Sequence, residues 1–254
     1  MPASLTEKQD KAFLAHLEDL FRLAQERYQT RFTGFLDLHQ LTLARQVANR
    51  FGDVPHLFYA GHPGGERQML GVFAPYTVPK EQDFPIGVLT ACFRKEDSIG
   101  HRDLLGALMG LEIRREAIGD LLLEEGRAVL FVAETVASVV ENELVKVGRH
   151  GVKMTVGFSS PLPEQFHFSE LPVNVSSLRL DCMVSAITGF SREKAAQTIR
   201  AQLVSVNGAV FTQTAGQLCE GDIISIRGVG KFVFAQITGT TKKGRLQVLC
   251  KRYV

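Results

Sequence analysis

The stretch SSLRLDCMVSAITGFSREKAAQTIRAQLVSVNG, residues 176–208, decides the fold of the last third of the chain. Leu180, Met183, Val184 and Ile187 fall at i, i+3, i+4 and i+7, the spacing of one apolar helix face. Ser177 is placed to cap that helix and Gly189 to end it. Ser191 is placed to cap a second helix, with Ala195, Ile199 and Leu203 turned inward. VSV, Asn207-Gly208 and AVF then read as a hairpin closed by a two-residue type I′ turn. CEGDIISIRG and GKFVFAQITG predict further strands, and Lys242-Lys243-Gly244-Arg245 a basic turn before a last strand, LQVLCKRYV.

Charge sets this region apart. The chain of 254 residues carries 29 Lys+Arg against 27 Asp+Glu, a net of +2. From Ser176 onward there are 11 against 4, a net of +7, which leaves −5 on the preceding 175 residues. A basic module on an acidic body is the usual footprint of a polyanion partner. Arg179 falls in the first turn of the first helix, and Arg192 and Lys194 in the first turn of the second. Cations there oppose the helix dipole, and free N–H groups at a helix amino end attract phosphate, so the placement points to function rather than stability.

This module resembles the S4 RNA-binding domain, on Arg179-Leu180-Asp181, Ser191-Arg192 with Ala195 and Ile199, Val204 to Gly208, and Gly221-Asp222. The resemblance implies that Arg179, Arg192 and Lys194 face RNA and that Asp181 orients its neighbours, while Asn207, Gly208, Gly221 and Asp222 shape turns. Six further cations of the module, Arg200, Arg227, Lys231, Lys242, Lys243 and Arg245, join the expected RNA-binding set.

Upstream, residues 84–158 read as strand (FPIGVLTACF), helix (HRDLLGALMGLEI), two strands (IGDLLLEE, RAVLFVAE), helix (TVASVVENELVKVG) and strand (VKMTVGF). That β-α-β-β-α-β order predicts a ferredoxin-like or RRM-like plait. RNA-binding plaits stack bases on aromatics of their central strands; here Phe84, Phe93 and Phe131 are the candidates, and the usual aromatic pattern is missing. The predicted fold class is therefore α+β, with an N-terminal helical α/β segment (1–80), the plait (81–160), a linker (161–176) and the S4 domain with C-terminal strands (177–254). Pro161, Pro163 and Pro172 argue for the linker, since proline disfavours both helix and central strand. In the N-terminal segment Ser4 and Glu7 make a capping box, Phe13, Leu17, Leu20 and Phe21 an apolar helix stripe, and Asp37 to Phe51 a second helix. HLFYA and RQMLGVFA predict strands joined by the loop GHPGGE. That loop lacks phosphate-loop spacing and a following helix, so it reads as a plain hairpin connection.

His101-Arg102-Asp103 matches the tripeptide that opens the kinase catalytic loop, but position 108 is Leu where the metal-binding Asn belongs, and no DFG follows. Asp103 or Ser98 suits the start of a helix instead. His101, Arg102, Arg114 and Arg115 are then candidates for a second RNA-facing edge. Over nearly its full length the chain resembles the YlmH-type S4-domain proteins, encoded near cell-division genes. The stretch from His101 to Ala107, Arg114-Arg115-Glu116 and Ile118-Gly119-Asp120 ahead of an S4 domain carry that resemblance. It implies a non-catalytic protein that binds rRNA and tRNA on the large ribosomal subunit and assists rescue of stalled translation, without cofactor or metal. Two other readings stand beside it: an RNA-modifying enzyme using His101, Asp103, Asp120, Glu66 and Arg67, or a division factor using the acidic body. The four cysteines form no CxxC pair, and no apolar run approaches the roughly 18 residues of a membrane span. A cytoplasmic monomer follows as the expectation.

Overall fold

The computed structural model describes residues 5–164 and 168–253. Ser4, half of the expected capping box, lies outside them. The chain forms two compact units, Met1–Gln165 and Phe166–Val254.

Unit 1 opens with α1 (Leu5–Arg27), the short β1 (Arg31–Phe32) and α2 (Leu38–Arg50). Asp37 caps α2 by accepting from Gln40 N at 2.9 Å, while the Gln40 side chain accepts from Asp37 N in return. β2 (His56–Tyr59) and β3 (Met69–Val72) pair antiparallel, and β1 adds to the other side of β3. Leu17, Phe21, Leu41 and Val47 of the two helices close over Leu70 and Val72 of this small sheet.

A second sheet follows from β4 (Ile86–Cys92), α3 (His101–Gly110), β5 (Ile118–Glu124), β6 (Arg127–Ala133) and α4 (Glu134–Glu143). After the small hairpin of β7 (Lys146–Val147) and β8 (His150–Gly151) comes β9 (Lys153–Val156). The strand order is β5-β6-β4-β9, all antiparallel, with the first and third strands of the sequence order in the centre. Alternation along β6 sorts its two faces. Ala128, Leu130 and Val132 pack with Leu104 and Leu108 of α3 and Val140 of α4. The inward stripe of α4 runs through Val136, Val140 and the C-cap Leu144, and it leaves Val139 exposed.

Val129 and Phe131 point the other way and pack with Phe35, Met69 and Phe73 from the N-terminal segment and with Phe84 just ahead of β4. The face on which RNA-binding plaits stack bases is therefore the centre of a core. Uncovering Phe131 alone costs about 2–3 kcal/mol, against about 1–3 kcal/mol returned by one stacked base. Six further buried side chains share that cluster, so the covered face does not open for RNA. Of the candidate aromatics, Phe84 and Phe131 are both buried.

Unit 2 begins with β10 (Phe168–Val175), a strand that occupies most of the Pro-rich stretch expected as a linker over 161–176. β10 pairs with β15 alone, at the edge of its sheet, and an edge strand tolerates Pro172 because one side of it makes no ladder bonds. α5 (Leu180–Thr188) and α6 (Arg192–Arg200) follow, then β11 (Val204–Val206), β12 (Ala209–Val210), β13 (Ile223–Ile226), β14 (Gly230–Thr240) and β15 (Leu246–Tyr253). The six strands run in the order β10-β15-β14-β13-β11-β12. Their inward residues, Ile224, Phe232, Phe234 and Val248 among them, meet Leu180, Met183, Val184 and Ile199 of the two helices. Asn207 and Gly208 both adopt positive φ, 50° and 81°, as a type I′ turn requires. Asn207 and Asp222 lock that turn: Asn207 Nδ2 donates to Asp222 Oδ1 at 2.8 Å and Asn207 Oδ1 accepts from Ile223 N at 2.9 Å.

Candidate nucleic-acid interface

The amino ends of α5 and α6 meet at one carboxylate. Asp181 is 6% exposed and accepts from Arg179 Nε at 3.1 Å, from Arg179 Nη2 at 3.0 Å and from Arg192 Nη2 at 2.9 Å. It also takes the Cys182 N–H at 2.9 Å. The two arginine side chains are 40% and 54% exposed, so the acid is inside while the cations reach solvent. Burial pushes the Asp181 carboxyl up, but hydrogen bonds and charge from Arg179 and Arg192 outweigh it and hold the group below the usual carboxylate value. Asp181 in turn raises the Arg192 guanidinium above its ordinary value. Both guanidiniums are held in place before any ligand arrives.

The start of α5 departs from the sequence expectation in two ways. Its N-cap is Arg179, with no side-chain cap, and Ser177 instead lies with its Oγ 3.1 Å from Cys182 Sγ. A capping hydroxyl is dispensable because Leu180 N and Asp181 N donate to the carbonyls of Gly216 and Thr214, at 2.8 and 3.1 Å. These N–H groups are thus not free for phosphate, and attraction at this end rests on the arginines. The start of α6 follows expectation, with Ser191 Oγ accepting from Lys194 N at 3.2 Å, and Gly189 ends α5 in the left-handed conformation, but Leu203, expected inward, lies beyond the end of α6 and is exposed.

The other cations of the expected RNA-binding set fall in four places. Lys194 lies exposed on the first turn of α6, its Nζ 4.1 Å from the Phe190 ring centre. Arg200 is at the opposite end of α6, about 12 Å along the helix, where a cation complements the dipole. Arg227 and Lys231 line a groove of about 420 Å³ with Ser205, Val210 and Ser225. Lys242, Lys243 and Arg245 line a second groove of about 350 Å³ beside Asn174. The structure therefore unites Arg179 and Arg192 through Asp181 and leaves the rest as separate cations, all exposed but the half-buried Lys231.

In unit 1 the four residues of the candidate second edge divide. His101 and Arg102 open α3, Arg114 is 85% exposed, and all three reach solvent. Arg115 is half-buried and donates from Nη1 to the Ile118 carbonyl at 2.7 Å. Packing on one side and the nearby Arg115 charge hold the His101 imidazole below its usual value. Asp103 Oδ2 accepts from Gly100 N at 2.9 Å and so starts α3, while Ser98 makes no such cap.

Asp120 has an architectural task. Its carboxylate is 6% exposed and accepts from His62 Nε2 at 3.1 Å, Glu66 N at 2.9 Å and Arg67 N at 3.2 Å. The Gly-rich loop does join the paired β2 and β3, and it also wraps this acid. A Cβ on Gly65 would stand 2.7 Å from Asp120 Oδ2 and 2.2 Å from the Ala60 Cβ, which explains the glycine. Arg67 donates to the carbonyls of Phe35, Arg115 and Ile118 at 2.8, 3.1 and 2.9 Å, tying the N-terminal segment to the second sheet. Burial and the neighbouring Arg115 lower its guanidinium to about 10. General acid-base work requires polar atoms that reach a substrate; here Asp103 and Asp120 are occupied by backbone N–H groups. Among the described residues no helix is long and apolar enough to cross a membrane, and no group of three or more His, Cys, Asp or Glu is arranged to hold a metal.

A basic β module with arginines at paired helix ends, preceded by a plait whose open face is covered, is the architecture to be matched. Residues 79–157 match the family model described as "Putative RNA-binding domain in YlmH". The "Ribosome-associated protein quality control protein P2" of Bacillus subtilis is 31% identical over 256 residues, covering 96% of each chain. The chain belongs to the YlmH family. The solved structure "Cell division protein ylmH from Streptococcus pneumoniae" shares the fold, with a TM-score of 0.52, 22% identity, and coverage of 62% of this chain and 94% of that one.

Proposed function

We propose that the chain is a non-catalytic RNA-binding protein that contacts rRNA and tRNA on the large ribosomal subunit through unit 2 and assists rescue of stalled translation. It does so as a cytoplasmic monomer without cofactor. The observation that carries this reading is the pair Arg179 and Arg192, fixed on the buried Asp181 at the converging ends of α5 and α6. A carboxylate that aims two guanidiniums outward makes a preorganised phosphate contact, with less side-chain freedom to lose on binding. The S4-like order of unit 2, its net +7, and the name of the Bacillus relative support it. Lys194, Arg227, Lys231, Lys242, Lys243 and Arg245 extend the contact along the phosphate backbone. The RRM-like plait, its sheet covered, uses the edge formed by His101, Arg102 and Arg114 rather than base stacking.

Co-sedimentation with large ribosomal subunits over a range of salt tests the reading. Arg179→Ala/Arg192→Ala should weaken binding at every salt concentration and lower the slope of log K against log salt by about 2, one for each phosphate no longer neutralised. An unchanged affinity and slope would remove unit 2 as the RNA-facing surface.

A further inference from the structure

Beyond the cationic surfaces, unit 1 displays two tyrosines that its core does not use. Tyr76 is 77% exposed and Tyr28 59% exposed. Their rings face one another at 24°, with centroids 6.2 Å apart. At that separation they form one offset-stacked pair within aromatic contact range, and both rings stay largely open to solvent. Tyr28 has φ 55°, the left-handed region that a bulky side chain rarely enters. Holding an aromatic ring outward in a disfavoured backbone conformation requires the surroundings to impose it. Those surroundings are visible: Tyr28 lies between the end of α1 and β1, and the adjoining Thr30 hydroxyl accepts from Ala74 N at 3.4 Å, binding the two tyrosine-bearing segments together.

The charges beside the pair choose its ligand. Residues 27–31 read Arg-Tyr-Gln-Thr-Arg and residues 74–80 Ala-Pro-Tyr-Thr-Val-Pro-Lys, with three cations and no acid. Arg27, Arg31 and Lys80 are all exposed, and Arg31 Nη2 donates to Gln29 Oε1 at 2.5 Å, which steadies it beside Tyr28. The acids bordering these two stretches are Glu26, which is exposed, and Glu81, which is hydrogen-bonded to the Tyr59 hydroxyl, so the three cations outnumber the one free-standing acid. Exposed rings flanked by cations are the chemistry of single-stranded nucleic acid, in which bases stack on aromatics and phosphates meet the charges. An acidic or apolar protein partner would meet the same cations but would not need two parallel rings.

We propose that Tyr28 and Tyr76, flanked by Arg27, Arg31 and Lys80, form a base-stacking site for single-stranded RNA in unit 1, separate from the arginine pair of unit 2. The proposal rests on the RNA-binding reading and adds a second contact of different chemistry. It replaces the covered sheet of the plait as the place where unit 1 meets unpaired bases.

The test uses the full chain and a 12-nucleotide oligouridylate carrying one 5-iodouridine. Irradiation should crosslink the oligonucleotide to Tyr28 or Tyr76, mapped by mass spectrometry. Tyr76→Ala should abolish that crosslink and weaken binding about tenfold, as loss of one stacked base does. Tyr28→Phe, which keeps the ring, should bind like wild type. With no Trp and four Tyr in the chain, stacking should also quench tyrosine emission on titration. Tyr76 lies outside the strands and is mostly exposed, so its replacement leaves the melting temperature unchanged. If Arg179→Ala/Arg192→Ala weakens ribosome binding while Tyr76→Ala changes neither oligonucleotide affinity nor the crosslink, the functional reading stands and the stacking site falls. That outcome would leave the pair as a protein-docking surface. If the wild-type chain binds neither ribosomes nor the oligonucleotide, both fall together.

Discussion

Asp120 and Asp181 are two aspartates of equal burial, each 6% exposed, put to opposite uses. Asp120 directs its oxygens to two backbone N–H groups and His62, all inside unit 1. Asp181 directs most of its oxygen valence to two guanidiniums that emerge into solvent. The first seals a loop and the second aims a surface. Burial of a charge does not by itself mark a functional site; the destination of its partners does.

Substitution at the two acids should separate these tasks. The largest effect is expected for Asp120→Ala, which strands the N–H groups of Glu66 and Arg67 and one nitrogen of His62. A loss of about 3–4 kcal/mol in denaturant unfolding of unit 1 follows, with the arginine pair of unit 2 intact. Next, Gly65→Ala pushes a methyl against Ala60 and Asp120 and should cost about 1–3 kcal/mol by the same assay.

For Asp181 the contrast can be sharpened by pH. Its carboxyl lies below the ordinary value in the folded chain, so the unfolded state binds the proton more readily. The stabilisation is complete above about 3.9 and is lost as pH falls through the lower folded value. Thermal melts between about pH 5 and 2 should show this loss in wild type and less of it in Asp181→Asn. The smallest effect belongs to His101, whose imidazole is held below its usual value. Here too the unfolded state binds the proton more readily, so acidification below about 6.5 costs unit 1 a little stability. His101→Gln should remove that part of the pH dependence in a melting series.

Much of the fold is legible in the residues. The apolar spacing from Leu180 to Ile187 and the Asn207-Gly208 turn predict elements that the structure contains, because both signals are local. Asp103 is readable as the start of α3 for the same reason. What escapes is long-range. GHPGGE reads as a bare loop because its partner, Asp120, lies more than fifty residues away. Ser177 reads as a cap because the carbonyls of Thr214 and Gly216, which replace it, are remote in sequence. Pro172 reads as a linker signal because edge position is a property of the assembled sheet. The covering of Phe131 is likewise invisible, since alternation shows that a strand has two apolar faces and not what lies against each.

The sharpest test of the aimed-arginine account is the affinity of Asp181→Asn for large ribosomal subunits at fixed salt. Replacing the carboxylate removes a negative charge from the basic face, so attraction by net charge alone predicts tighter binding. If Asp181 acts by fixing Arg179 and Arg192, the variant binds more weakly than wild type despite its added positive charge, with a faster dissociation rate. Equal or tighter binding would contradict the account and return unit 2 to a diffuse cationic surface.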